Sequence, residues 1–76
     1  MESKVKILCN NHRVCPEVMI TLGEMGFTRI KDVSRESVSF DITAKRNFKS
    51  VEDERKTIHQ VFDRCKGKVH QIEVSK

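Results

Sequence analysis

The chain has 76 residues, of which 37% are hydrophobic and 34% charged, and its formal net charge is +4. This length gives one domain with a small core, and the composition favours a folded over a disordered chain. No apolar run approaches the roughly 20 residues of a membrane span, and the charged first residues are not those of a secretory signal. We therefore expect a single domain over residues 1–76, reduced thiols and a cytoplasmic location.

The first half of the chain reads as strand, helix, strand. Residues 4–9 alternate as a strand, with Val5, Ile7 and Cys9 on one side. Pro16 favours the first helical position, which makes Cys15 the N-cap of a helix that stops at Gly26. Residues 28–34 follow as a strand whose apolar residues lack a common parity, so we expect an edge strand with a bulge.

The second half repeats the order strand, helix, strand. Residues 38–44 alternate clearly, with Asp41 and Thr43 outward, and residues 45–49 form a basic loop. Ser50 and Asp53 resemble a capping box, and Gly67 marks the helix end. Residues 69–75 form the last strand. The inward face of this second helix is predicted to carry Val51, Ile58, Val61, Phe62 and Cys65.

The element order βαββαβ predicts an α+β fold of the ferredoxin-like kind. In this arrangement a four-stranded antiparallel sheet, with strand order 4-1-3-2, is covered on one face by two helices. The topology brings the end of strand one, the start of helix one and the end of helix two to the same pole. Many unrelated functions use this fold, so the site has to decide the function.

Four residues with metal-binding side chains meet at that pole: Cys9, His12, Cys15 and Cys65. Together they would make a Cys3His zinc set. However, Cys9 continues the inward alternation of its strand and Cys65 continues the apolar stripe of its helix, as buried cysteines commonly do. We therefore predict no metal and no cofactor.

A second hypothesis for the pole is thiol chemistry. Cys15 lies at a helix N-terminus, where the helix dipole stabilises a thiolate, and Arg13 would add to this effect. Cys15, Pro16 and Glu17 also resemble the Cys-Pro helix start of a family of small sulfur-carrier proteins. That resemblance implies sulfur transfer at Cys15, which we retain as a minor alternative.

No catalytic constellation is visible elsewhere: the sequence lacks a glycine-rich phosphate loop and a Ser/His/Asp set, and the domain is too small to enclose a pocket. Residues 22–27, with Asp32 and Val33, resemble the small structural subunit of bacterial formylglycinamidine synthetase, which bridges larger enzymes. We therefore expect a non-catalytic binding or regulatory module that contacts a larger macromolecule, a protein partner, through its open sheet face and basic loops. A homodimer through that face or an edge strand is a further expectation.

The alternative partner is nucleic acid, bound in a sequence-tolerant way through basic loops at the two poles. Recognition of RNA bases on the sheet is not expected, because the outward residues of the central strands include no aromatic and Asp41 would repel phosphates. The candidate binding residues at the first pole are Asn10, Asn11, His12, Arg13, Arg35, Lys66 and Lys68. Those at the opposite pole are Lys45, Arg46, Phe48 and Lys49.

Overall fold

The computed structural model describes residues 1–33 and 41–75, and these form a four-stranded antiparallel sheet with two α-helices. The elements in chain order are β1 (Glu2–Cys9), a 3-10 turn (His12–Val14), α1 (Cys15–Glu24), β2 (Thr28–Asp32), β3 (Asp41–Asn47), α2 (Val51–Arg64) and β4 (Val69–Ser75). The strand order is β2-β3-β1-β4, which is 4-1-3-2 counted from the other edge. The predicted α+β class, with a four-stranded antiparallel sheet, is confirmed.

Parts of the predicted second hairpin, including Arg35 and residues 38–40, lie outside the described residues. Within the described ranges, no helix is long and apolar enough to cross a membrane.

The core lies between one face of the sheet and the two helices. Strand alternation supplies its sheet side, since every second residue points to the same face. The helices supply the other side through one stripe each. Among the described residues, the buried apolar ones are Val5, Ile7, Cys9, Cys15, Val18, Leu22, Phe27, Ile42, Ala44, Phe48, Val61 and Cys65.

Helix α1 begins one residue earlier than predicted and stops where expected. Its N-cap is Val14 rather than Cys15, because a 3-10 turn precedes the helix and carries the chain directly into it. At the other end Gly26 has φ +87°, and its N–H donates to the Gly23 carbonyl at 3.2 Å. The Phe27 N–H donates to the Leu22 carbonyl at 3.0 Å, and the two bonds form a Schellman motif at the predicted helix stop.

The start of α2 is capped as predicted, but its apolar face is rotated. The Ser50 hydroxyl accepts the Asp53 N–H at 3.1 Å, and the Asp53 carboxylate accepts the Lys49 N–H at 2.9 Å. Val51 and Phe62, predicted to face inward, are 49% and 38% exposed. Thr57 is buried instead, because its hydroxyl is satisfied by donating to the Asp53 carbonyl at 2.8 Å.

Strand β2 is an edge strand with a bulge, as its irregular pattern predicts. Thr28 pairs with Lys45 and Lys31 pairs with Thr43, so β2 has one more residue between these two pairs than β3 has. Within the bulged segment Arg29 has φ +52°, a left-handed conformation that L-residues other than glycine adopt at a cost in free energy. The bulge therefore changes which side chains of β2 share a face with those of β3.

Candidate functional site

The side of the sheet opposite the helices is a shallow concavity of about 1070 Å³, which we call the open face. All four strands contribute to it. Strand register places the side chains of Lys4, Lys6, Lys31, Thr43, Lys45, Glu73 and Ser75 on this side of the sheet. Arg29 and parts of Val5, Ile30, Ala44 and Val74 also line the concavity.

Strand register arranges the open face in rows that cross the sheet. One row runs Thr28, Lys45, Lys4 and Ser75. The next row runs Lys31, Thr43, Lys6 and Glu73. Directly paired residues lie on the same side of a sheet, so these side chains share one surface.

The open face is strongly basic. Of the described residues that line the concavity, five are basic and one, Glu73 on edge strand β4, is acidic. Two further carboxylates lie on the same side of the sheet: Glu2, two residues before Lys4 on β1, and Asp41, beyond the second row and 3.7 Å from the Lys6 ammonium group. Asp41 was predicted to be outward, yet it is only 5% exposed, so its charge is less accessible to a ligand than the lysines are. The positive potential is therefore concentrated on β1, β2 and β3.

The three thiols at the predicted pole are buried in the core. Cys9 and Cys15 interact through a side-chain hydrogen bond, and burial is the main cause that raises the pKa of Cys9 to about 12. Burial also raises the pKa of Cys15 above its ordinary value. The expectation of a stabilised Cys15 thiolate is therefore wrong, since the loss of hydration outweighs the helix dipole at this position.

His12 does not join the thiols as a fourth metal ligand. It lies exposed on the 3-10 turn while the cysteines lie beneath the surface. Among the described residues, no group of three or more His, Cys, Asp or Glu side chains is arranged to hold a metal ion.

Hydrogen bonds and an ion pair within the fold hold the polar loop at this pole. The Asn10 side chain donates to the Gly67 carbonyl at 2.7 Å, and its backbone N–H donates to the Lys68 carbonyl at 2.8 Å. The Lys68 ammonium group lies 2.8 Å from a Glu17 carboxylate oxygen, a contact that raises the pKa of Lys68. Asn11, His12, Arg13 and Lys66 are exposed around this anchored loop.

At the opposite pole, two predicted binding residues are part of the core packing. Phe48 is 3% exposed and meets Phe27 edge to face, with ring centroids 6.3 Å apart. The Arg46 guanidinium lies 4.8 Å from the Phe48 ring centroid and donates to the Met25 carbonyl at 2.9 Å. Phe48 therefore cannot stack a nucleic-acid base, and the hypothesis that gave it this role is wrong. Lys49 is exposed, whereas Lys45 belongs to β3 and the open face.

Apart from Lys45, which belongs to the open face, and Arg35, which lies outside the described residues, the predicted binding residues fall into two groups at opposite ends of β1. The alternation that puts Val5, Ile7 and Cys9 on one side of the first strand leaves Lys4, Lys6 and Leu8 outward, but sequence reasoning did not join the two lysines to Lys45. Pattern alone could have suggested that connection, because Lys45 follows the inward Ala44 in the same alternation. The contribution of Arg29 and Lys31 depends on the position of the bulge, which no spacing in the sequence specifies.

Comparisons with known proteins found no matching family model, no matching curated protein and no matching solved structure.

Proposed function

We propose that this chain is a non-catalytic binding module that contacts a larger macromolecule through its open face. The observation that carries this proposal is the excess of five basic residues over one acidic residue on a concave surface spanning the sheet. Converging charges of one sign attract a partner of the opposite sign and speed its association. The partner is expected to present clustered negative charge.

The open face suits a charged partner better than a second copy of itself. Two such faces brought together would oppose five basic residues with five more, and like charges across an interface are strongly unfavourable. A homodimer, if formed, would therefore use an edge strand. The free, buried cysteines also agree with the predicted cytoplasmic location, where thiols stay reduced.

A comparison of two charge-matched variants tests the role of the open face. The variant Lys4→Gln/Lys45→Gln removes two charges from this face, and Arg55→Gln/Lys56→Gln removes two from exposed positions of α2. Each protein is immobilised, exposed to cell lysate at low salt, and washed. The retained protein and nucleic acid are then quantified.

The proposal predicts that macromolecules retained by the unmodified chain are lost from the open-face variant and kept by the α2 variant. Equal retention by the two variants, or no retention by the unmodified chain, would contradict it. Circular dichroism melting of each variant shows whether the fold is preserved, so that a loss of retention can be assigned to the surface.

A further inference from the structure

We infer that the partner of the open face is duplex nucleic acid, bound through its phosphate backbone without regard to base sequence. This inference rests on the proposed function and names the chemistry of its partner. Three observations support it. They are the spacing of the cations, the groups of the face that reduce the stability of the free chain, and the kinds of side chain that line it.

The cations form a patch rather than a single anion site. Lys4 and Lys6 are two residues apart on β1, so they lie on the same side of the sheet with about 7 Å between them. Neighbouring strands lie about 4.8 Å apart. Lys45 pairs directly with Lys4, and Lys31 lies in the row of Lys6 on the far side of Thr43. Charges spread over this area can meet several phosphates at once, whereas one small anion would reach only a few of them.

Two features of the patch are unfavourable in the free chain. Lys4 and Lys45 are directly opposed on adjacent strands, and like charges in this position are destabilising. Arg29, which also lines the concavity, has a left-handed backbone conformation, which is strained for a residue with a β-carbon. Bound phosphates would neutralise the repulsion and use the charge that the strained residue presents.

The residues of the patch are poorly suited to a protein interface. Such interfaces are depleted in lysine and depend on buried aromatic or apolar anchors. Val5 and Ala44 line the open face, but their side chains are buried on the other side of the sheet. The apolar side chain that β1 does present on this side is that of Leu8, next to Asp41, and it is half-buried. Lysine, arginine, serine and threonine side chains, in contrast, commonly bind phosphate groups.

The same residues favour a duplex over a single strand. Proteins that bind single strands on a sheet stack the bases on aromatic rings. Among the described residues no aromatic lines the open face, and Phe27 and Phe48 are buried. A surface whose outward side chains are mainly charged or hydrogen-bonding gains most from the ligand with the denser charge. A duplex carries one phosphate per about 1.7 Å of axis, against about 3.4 Å for one strand.

Fluorescence anisotropy with purified probes tests the inference. The probes are a mixed-sequence DNA duplex of about 20 base pairs, an RNA duplex of the same sequence, and each separate strand, at salt concentrations from about 50 to 200 mM. If all five basic residues meet phosphates, log K should fall with log salt at a slope of about −4.5. Because only the backbone is contacted, both duplexes should bind within about tenfold of each other.

The variants then assign binding to the open face. For Lys4→Gln/Lys45→Gln we expect affinity roughly tenfold or more below that of the unmodified chain and a slope reduced in magnitude by about 2. For Arg55→Gln/Lys56→Gln we expect both quantities unchanged. If the first variant does not fold, Lys6→Gln/Lys31→Gln replaces it and should show the same loss.

The inference is overturned if no duplex binds at low salt, if the single strands bind more tightly than the duplexes, or if the open-face variants bind as well as the unmodified chain. Nuclease treatment in the lysate experiment separates this failure from failure of the proposed function. Retention that depends on the open face but survives nuclease, with no binding of purified duplex, leaves the binding module intact and identifies an acidic protein as its partner.

Discussion

The Cys9 thiol keeps its proton at pH values where an exposed thiol would have lost it. Burial is the main cause that raises its pKa from 9.0 to about 12, and its hydrogen bond with Cys15 adds to this effect. The thiol packs as a small apolar group within the core cluster. Reactivity at this pole is therefore suppressed by the same burial that stabilises the fold.

This shift in pKa predicts a loss of stability in alkali. The folded-state pKa of Cys9 is the higher one, so its contribution to stability is complete below pH 9 and is lost as the pH rises from about 9 to about 12. Over this range Cys9 should reduce the free energy of unfolding by up to about 1.4 kcal/mol per pH unit. Urea unfolding at a series of pH values measures this loss.

The variant Cys9→Ala provides the control for that measurement. It should be less stable at neutral pH, because it leaves a small cavity. Its loss of stability above pH 9 should nevertheless be shallower than that of the unmodified chain. Parallel curves for the two proteins would show that the Cys9 thiol does not titrate differently in the folded and unfolded states.

Phe48 has a structural role that composition could not assign. A phenylalanine between basic residues fits an exposed base-stacking loop and also a buried anchor, and only its packing against Phe27 and Arg46 decides between them. We expect Phe48→Ala to lower the free energy of unfolding by about 3–5 kcal/mol. Chemical denaturation measures the change. Phe48→Leu should restore most of the loss, and a stable Phe48→Ala protein would contradict the assigned role.

At the scale of elements, local signals predicted the boundaries where a side chain or a backbone bond fixes them. Ser50 caps α2 and Gly26 ends α1, and both were expected from residue type and spacing. The sequence signals were weaker where tertiary packing determines the boundary of an element. The 3-10 turn depends on the Asn11 side chain, which accepts the Arg13 N–H at 2.9 Å, and it moved the helix start by one residue.

Two glycines of the α1 region are expected to respond in opposite ways when alanine replaces them. Gly26 needs its left-handed conformation to end α1, and an added β-carbon would also lie 3.4 Å from Arg46 Nε. We expect Gly26→Ala to destabilise the chain by about 1–2 kcal/mol. Gly23 lies inside α1, where an added β-carbon would make an ordinary contact with Ile30 at 3.7 Å.

For Gly23→Ala we therefore expect a gain in stability of about 0.5–1 kcal/mol. Thermal unfolding of the two variants beside the unmodified chain measures both changes. Equal effects of the two substitutions would show that the Schellman ending of α1 does not depend on the left-handed residue.

At the scale of the whole molecule, the sequence predicts the architecture more completely than it predicts the binding surface. The α+β class follows from the order of elements, and Lys4 and Lys6 are outward in any alternation that buries Ile7. The opposition of Lys4 and Lys45, however, is a property of strand register. The part played by Arg29 depends on a bulge, whose exact position is set by sheet pairing rather than by residue type.

The open face also predicts that stability and binding oppose each other at Lys45. Substitution Lys45→Glu places a carboxylate directly opposite Lys4, so a cross-strand repulsion becomes an attraction. We expect the free energy of unfolding to rise by about 0.2–1 kcal/mol while duplex binding falls. The increase should shrink at high salt, because exposed charges are screened, and Lys45→Gln should be intermediate in stability. Denaturation and anisotropy on the same samples measure both effects. A less stable Lys45→Glu protein would mean that the opposed lysines do not repel, which would remove one of the reasons for assigning a phosphate backbone to this face.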